Sequence, residues 1–245
     1  MTYEKDLLLK AKKFYTNKSF FQAKLCLLKV LENNQIDEKF KLSLYVLISD
    51  ICYKINEFDR AEKFLLKCIK KGKSNKQIYI SLGNIYLKKR DYKNSEKFYQ
   101  KSIDTEKKNE VAITNLAILY HNLGKKNEAI KLYKKVLKMN PKNIGALYNL
   151  SNIDPSIIDN KTIKKLKVFI KRKELGNFNI ASSYFLLAKV EKNKKNFKEE
   201  MNLISQGNNF SYSENKRRND QYNNYWLQGI PKNFNKIKYI KDSKY

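Results

Sequence analysis

Shifted by 34 residues, the sequence falls on itself: Ile48, Leu82, Leu116 and Leu150 align, each followed by a small residue, Ser49, Gly83, Ala117 and Ser151. The same step aligns Tyr45, Tyr79, Ile113 and Leu147; Cys52, Tyr86 and Tyr120; Ala61, Ser95 and Ala129; Leu65, Tyr99 and Tyr133; and Cys68, Ser102 and Val136. Apolar residues three and four apart mark a helix face, so each period holds two amphipathic helices. One pair cannot bury its apolar face alone, and a chain that repeats it must stack the pairs. Gly83 shows why the small residues recur. A glycine inside a helix costs about 1 kcal/mol relative to alanine, so it needs a packing reason. Its place in the period puts it opposite Ser95, where the first helix of a pair crosses the second and the backbones must approach closely. Tyr86 and Tyr99 fill the space on either side, and Ile103 packs toward the next pair.

Composition agrees with an all-α fold. Three prolines and seven glycines in 245 residues, without alternating strand-like runs, favour long helices, and 42% apolar residues demand a core. The N-terminal stretch MTYEKDLLLKAKKFY carries only a short apolar patch, and no run reaches the roughly 18 apolar residues of a membrane span. This predicts a cytoplasmic chain with no membrane span. Cys26, Cys52 and Cys68 are an odd set at no metal-ligand spacing and fall among helical apolar positions, which predicts small reduced core residues. The net charge of +28 invites a polyanionic partner. Only five of the 52 basic residues are arginine, however, and the lysines are spread over nearly every helix. Base and phosphate readers lean on the arginine fork, so the charge argues against nucleic acid.

The two stripes of large, small and aromatic residues at this period resemble the tetratricopeptide repeat (TPR). The resemblance implies a right-handed superhelical solenoid of antiparallel helix pairs. Four pairs are read at residues 4–37, 42–75, 76–109 and 110–143, the first offset by four extra residues. The fourth closes with the family's usual proline, Pro141, where the second and third have Lys73 and Lys107; the first has Lys10 where a leucine is usual. Beyond them, Asp154-Pro155 should stop a first helix early, because the residue before proline disfavours the α region. A helix near Lys161 to Arg172 follows. Asn179 to Lys192, with Tyr184, Leu187 and Ala188, reads as another first helix, and Phe197 to Gly207 as its partner, with Glu200 where a small residue is usual. The expected division is four pairs in 1–143, degenerate helices and a cap in 144–214, and a polar tail in 215–245, with Trp226 docking as an aromatic anchor.

Chemistry is sparse. His121 is the single histidine, which removes most acid–base, nucleophilic and His-metal sites, and it reads as a surface or groove residue. Gly72-Lys73-Ser74 has the end of a phosphate-binding loop without its earlier glycine or preceding strand; Gly72 reads instead as a left-handed helix cap. The chain is expected to be no enzyme and to hold no cofactor or metal. A second resemblance lies in residues 181–210: Phe185, Leu186, Leu187, Ala188, Gly207 and Asn208 are similar to the segment that follows the repeats in TPR-containing sulfotransferases, where a helix ends in Gly-Asn. Gly229-Ile230-Pro231-Lys232 imitates only the start of that family's donor-binding loop, and Asn233-Phe234-Asn235 departs from it. The alternative reading is therefore the repeat region of such an enzyme, lacking or separated from its catalytic domain.

The leading expectation is a non-catalytic scaffold that takes a protein or peptide partner in a concave groove lined by the first helices. Asp50, Asn84, Ile118 and Asn152 form one expected row, and Leu47, Ser81, Asn115 and Asn149 a neighbouring one. Asparagine amides both donate and accept, which suits an extended backbone. The clamp by which some TPR proteins grip a terminal carboxylate is incomplete: Asn84 and Asn115 match its asparagines, but Ile80, Gly145 and Asn149 stand where it needs lysine, lysine and arginine. A third reading, polyanion binding through lysines on the convex helices, predicts steep salt dependence.

Overall fold

The computed structural model describes residues 2–33, 36–172 and 176–224. Those residues form twelve α-helices and one short 3-10 turn, with no strand among them. In order they are α1 (Thr2–Thr16), α2 (Phe20–Leu31), α3 (Glu38–Lys54), α4 (Phe58–Lys70), α5 (Lys76–Lys88), α6 (Tyr92–Thr105), α7 (Glu110–Asn122), α8 (Lys126–Met139), α9 (Ile144–Ile153), α10 (Asn160–Arg172), α11 (Asn177–Asn193) and α12 (Phe197–Asn224). The described residues group into two compact units, one of residues 2–98 together with 219–224 and the other of residues 99–218. Among the described residues, no helix is long and apolar enough to cross a membrane.

In the first unit, each pair crosses at two small residues twelve positions apart. Ala11 meets Ala23, Ser49 meets Ala61 and Gly83 meets Ser95, all buried. Where one partner is serine, its hydroxyl is spent on the other helix. Ser49 Oγ donates to the Ala61 carbonyl at 3.0 Å, and Ser95 Oγ to the Gly83 carbonyl at 2.9 Å. The serine sits on the first helix in one pair and on the second in the next, so the bond runs in opposite directions across the same contact. Gly83 is thus a close-approach residue, with Tyr86 stacked on Phe98 beside it (5.3 Å between centroids, 5° between planes).

The turn inside each pair repeats as faithfully as the crossing. Seven residues after the first small residue comes a left-handed backbone: Lys18 (φ 59°), Asn56 (φ 61°) and Arg90 (φ 60°) in the first unit, Gly124 (φ 74°) in the second. The next N–H donates back to the last turn of the first helix, as Ser19 to Phe14, Glu57 to Cys52, Asp91 to Tyr86 and Lys125 to Tyr120. That bond satisfies carbonyls a helix end would otherwise leave open. Gly72 is a left-handed cap as expected (φ 78°), with the Lys73 N–H returning to the Cys68 carbonyl at 2.9 Å. First helices from α3 to α9 start on a side-chain cap: Asp37, Asn75, Asn109 and Asn143 accept from the N–H three residues on. The four extra residues of the first period lie between the pairs, and α3, at 17 residues, is one turn longer than α5 or α7, at 13.

Lys10 also finds its reason. Asp6, Lys10 and Lys13 occupy the positions held in the second pair by Leu44, Ile48 and Ile51, which are fully buried. In α1 this face is exposed, and Lys10 pairs with Asp6 at 2.8 Å.

In the second unit, Ala117 and Ala129 cross in the same way, without a hydroxyl. The pattern then loosens. Asp154-Pro155 ends α9 after ten residues, as expected, and Pro155–Ile157 forms the 3-10 turn. Leu166 of α10 joins Ile144, Leu147, Leu186, Leu187 and Leu203 in one core, so α9 to α12 share a single apolar cluster. The left-handed turn returns at Lys195 (φ 59°), seven residues after Ala188, with Asn196 N–H bonded to the Glu191 carbonyl. The α11–α12 pair therefore keeps the repeat's turn. One expectation is corrected here. Gly207 does not end its helix: α12 runs on to Asn224 through the polar stretch after Phe210. Gly207 is there for contact, since a Cβ on it would lie 2.6 Å from Phe185 Cε1. The segment holding Trp226 and residues 229–235 lies outside the described residues.

Candidate peptide-binding face

The expected rows fall on the first helices; Leu47 packs against the apolar core, and the polar members stand outside the apolar stripes. Asp50 (α3), Asn84 (α5), Asn115 (α7) and Asn149 (α9) are half-buried, as are Leu47, Ser81 and Ile118; Asn152 (α9) is exposed. Ile80 is buried, so one position the carboxylate clamp would fill with lysine belongs here to the core.

Two residues of the first row already bond to a neighbouring first helix. In the first unit, Tyr15 of α1 donates its hydroxyl to Asp50 Oδ2 at 2.9 Å, and Lys54 stands 3.5 Å from the other carboxylate oxygen. In the second unit, Lys189 of α11 donates to Asn152 Oδ1 and, at 3.1 Å, to Ser151 Oγ. Lys189 follows Ala188 as Asn152 follows Ser151, so the two occupy the same position of successive first helices and touch. The Lys189 ammonium also lies 4.1 Å from the centre of the Tyr148 ring, a cation–π contact. Burial holds its pKa below the usual lysine range. These bonds link repeats 34 or more residues apart, which periodicity alone does not reveal.

Within the second unit, α7 and α9 pack side by side, each flanking α8. They carry Asn115 and Asn149 at the same position of the repeat. His121, at the end of α7, is half-buried, and its carbonyl accepts the Gly124 N–H.

Elsewhere the ionisable groups are structural. Lys24 is only 2% exposed; its ammonium is bonded to Glu57 and lies 4.8 Å from the Phe21 ring centre. Burial pushes the Glu57 carboxyl up, but the bonds and charges of Lys24 and Arg60 outweigh it and hold it below the usual range. Tyr86, pushed up to about 12 by burial and by its bond to Glu62 (2.5 Å), ties α5 to α4, with Lys89 bridging Glu62 and Asp59 at 2.7 Å each. The three cysteines are buried and free, and burial raises each thiol. No group of three His, Cys, Asp or Glu side chains that could hold a metal occurs among the described residues. Phe185 and Gly207, part of the sulfotransferase resemblance, fit together as bulk against gap, which accounts for both as packing.

The fold and this face define a helical-repeat protein of the TPR type. The chain belongs to the family described as the tetratricopeptide repeat protein 21 C-terminal ARM domain, whose model matches residues 2–145. Among solved structures it is similar to a tetratricopeptide repeat protein from Parabacteroides merdae ATCC 43184, at 12% identity and a TM-score of 0.55, covering 93% of this chain and all of that one. It is also similar to MamA, at 17% identity and a TM-score of 0.53, covering 70% of this chain and 92% of that one. At these identities the likeness is one of fold. No curated protein matches the chain.

Proposed function

We propose that the chain is a non-catalytic scaffold that holds an extended peptide of a partner protein against its first helices, with Asn115 and Asn149 bonding the peptide backbone. The observation that carries this reading is the side-by-side packing of α7 and α9 with an asparagine at one repeat position in both, half-buried and outside the apolar core. Successive amides in one register can serve successive peptide groups, and partial burial strengthens each bond by shedding water.

The test begins with a peptide selected from a displayed random library on the full-length chain. Asn115→Ala with Asn149→Ala should weaken that peptide by about 1–3 kcal/mol and leave the melting curve nearly unchanged. Neutralising the exposed Lys134, Lys135 and Lys138 of α8 should change mainly the salt dependence. Silent asparagines, with lysine changes abolishing binding in a salt-dependent manner, would replace this reading with polyanion binding.

A further inference from the structure

Lys189 of α11 is a half-buried cation whose charge meets no carboxylate among the described residues. By contrast, Lys24 is paired with Glu57, Lys54 with Asp50, and Lys89 with both Glu62 and Asp59. Around Lys189 every contact is neutral: the Asn152 side-chain oxygen, the Ser151 hydroxyl and the Tyr148 ring, all on α9. The ring face attracts the cation but carries no net charge. The carboxylates nearest in sequence to these groups are engaged elsewhere, Asp154 with Ser156 and Glu191 with Lys194 and Asn196. Burial alone acts on the ammonium and lowers its pKa, so the charge is partly stripped of water with no opposite charge in return. An ammonium carries three N–H donors. Two are spent on Asn152 and Ser151, which leaves one for a ligand. Asn152 follows Asn149 by three residues, so both stand on one side of α9, and the ammonium is held beside the asparagine face by two neighbouring first helices. One free N–H suits one oxygen of a carboxylate side chain. A terminal carboxylate needs a fuller set of donors, and Ile80, Gly145 and Asn149 stand where the clamp for it needs lysine, lysine and arginine.

We propose that Lys189 selects an aspartate or glutamate side chain within the extended peptide, pairing with its carboxylate where α9 meets α11; this pairing rests on the reading of the first helices as the peptide-binding face. The probes are short random peptides displayed and selected on the full-length chain and, in parallel, on Lys189→Met, which keeps the stem and removes the charge. Selection on the natural sequence should fix an acidic residue at one peptide position, and selection on Lys189→Met should not. A fluorescein-labelled peptide from the first selection then enters a double-mutant cycle read by anisotropy. Exchanging its acidic residue for the matching amide should weaken binding to the natural sequence by about tenfold, and to Lys189→Met by less than about twofold. Lys189→Glu should prefer the peptide with lysine at that position. Reversing the exposed Lys134 of α8, an equal change in net charge, should cost less than about threefold. Amidating the peptide C-terminus should change affinity by less than about twofold. Circular dichroism checks folding, and Lys189→Gln replaces Lys189→Met where helicity is lost. If Lys189 only staples α11 to α9, its loss will weaken the acidic and amide peptides equally, and that result would overturn the proposal. So would acidic enrichment that survives Lys189→Met, or binding abolished by C-terminal amidation. Selected peptides with no fixed acidic residue that still need Asn115 and Asn149 would overturn the Lys189 pairing alone. Acidic peptides that need Lys189 but ignore both asparagine changes would support the pairing and remove the asparagine contacts. A selection that yields no peptide would overturn both.

Discussion

The first four helix pairs and the last one solve the same packing problem differently. In the first four, both helices carry a small residue at the crossing, and Ala23, Ala61, Ser95 and Ala129 on the second helices are all fully buried. In the α11–α12 pair Ala188 keeps its place, but Glu200 stands opposite and is half-exposed. The close approach has moved two turns along α12, to Gly207, which receives the ring of Phe185. Gly207 falls at the position of Cys68, Ser102 and Val136, and Phe185 at that of Val46. The turn between the helices is unchanged, as Lys195 and the Asn196 bond show. The turn is thus the more durable part of the repeat, and the site of closest contact can slide along the helices so long as one gap meets one bulk.

The largest expected effect is in the first unit, where a buried cation has one carboxylate partner. Glu57→Ala should destabilise by about 3–5 kcal/mol, because Lys24 would be left buried and unpaired. Adding Lys24→Met should recover much of that loss in urea melts. The pair also predicts a pH response. With its folded pKa held below the ordinary glutamate value of 4.5, Glu57 contributes stability that is complete above about pH 4.5 and is lost as pH falls through the lowered value. Glu57→Gln should flatten that part of the stability–pH curve.

Next in size is Gly207→Ala. Its Cβ would meet Phe185 at 2.6 and 2.9 Å, so a cost of about 1–3 kcal/mol is expected. Phe185→Leu should relieve most of it in a double-mutant cycle. Additive losses would mean that the gap and the ring are not partners, and the contrast between the regions would lose its basis.

The smallest effect tests what the regions share. Arg90 and Lys195 hold left-handed backbone without being glycine, so Arg90→Gly and Lys195→Gly should each stabilise by up to about 1 kcal/mol. Lys88→Gly, inside α5, should destabilise by about 1 kcal/mol. A gain at Arg90 with a loss at Lys195 would show that the turn is conserved in form only.

Much of the stack was legible in the sequence, because its rule is local: two small residues twelve apart, flanked by large ones, repeated every 34. Pro155 marked the short α9 for an equally local reason. The left-handed turns at Lys18, Asn56, Arg90 and Lys195 were not legible, since none is glycine and the conformation is imposed by the helices on either side. The periodic caps Asp37, Asn75, Asn109 and Asn143 were readable in principle as an Asx residue before each apolar run. Gly207 misled because glycine is both a common helix terminator and a common close-contact residue, and only Phe185 decides between them. Tyr15–Asp50 and Lys189–Asn152 depend on how successive first helices meet. None of these leaves a periodic trace.

The most direct test of the crossing rule places the same side chain on the second helix in both regions. Ala129→Leu and Glu200→Leu are compared in denaturant melts of the full chain. The account predicts a loss of about 1–3 kcal/mol at Ala129, where the backbones leave no room, and a change within about 0.5 kcal/mol at half-exposed Glu200. Equal losses at the two positions would contradict it, because the last pair would then cross as the first four do.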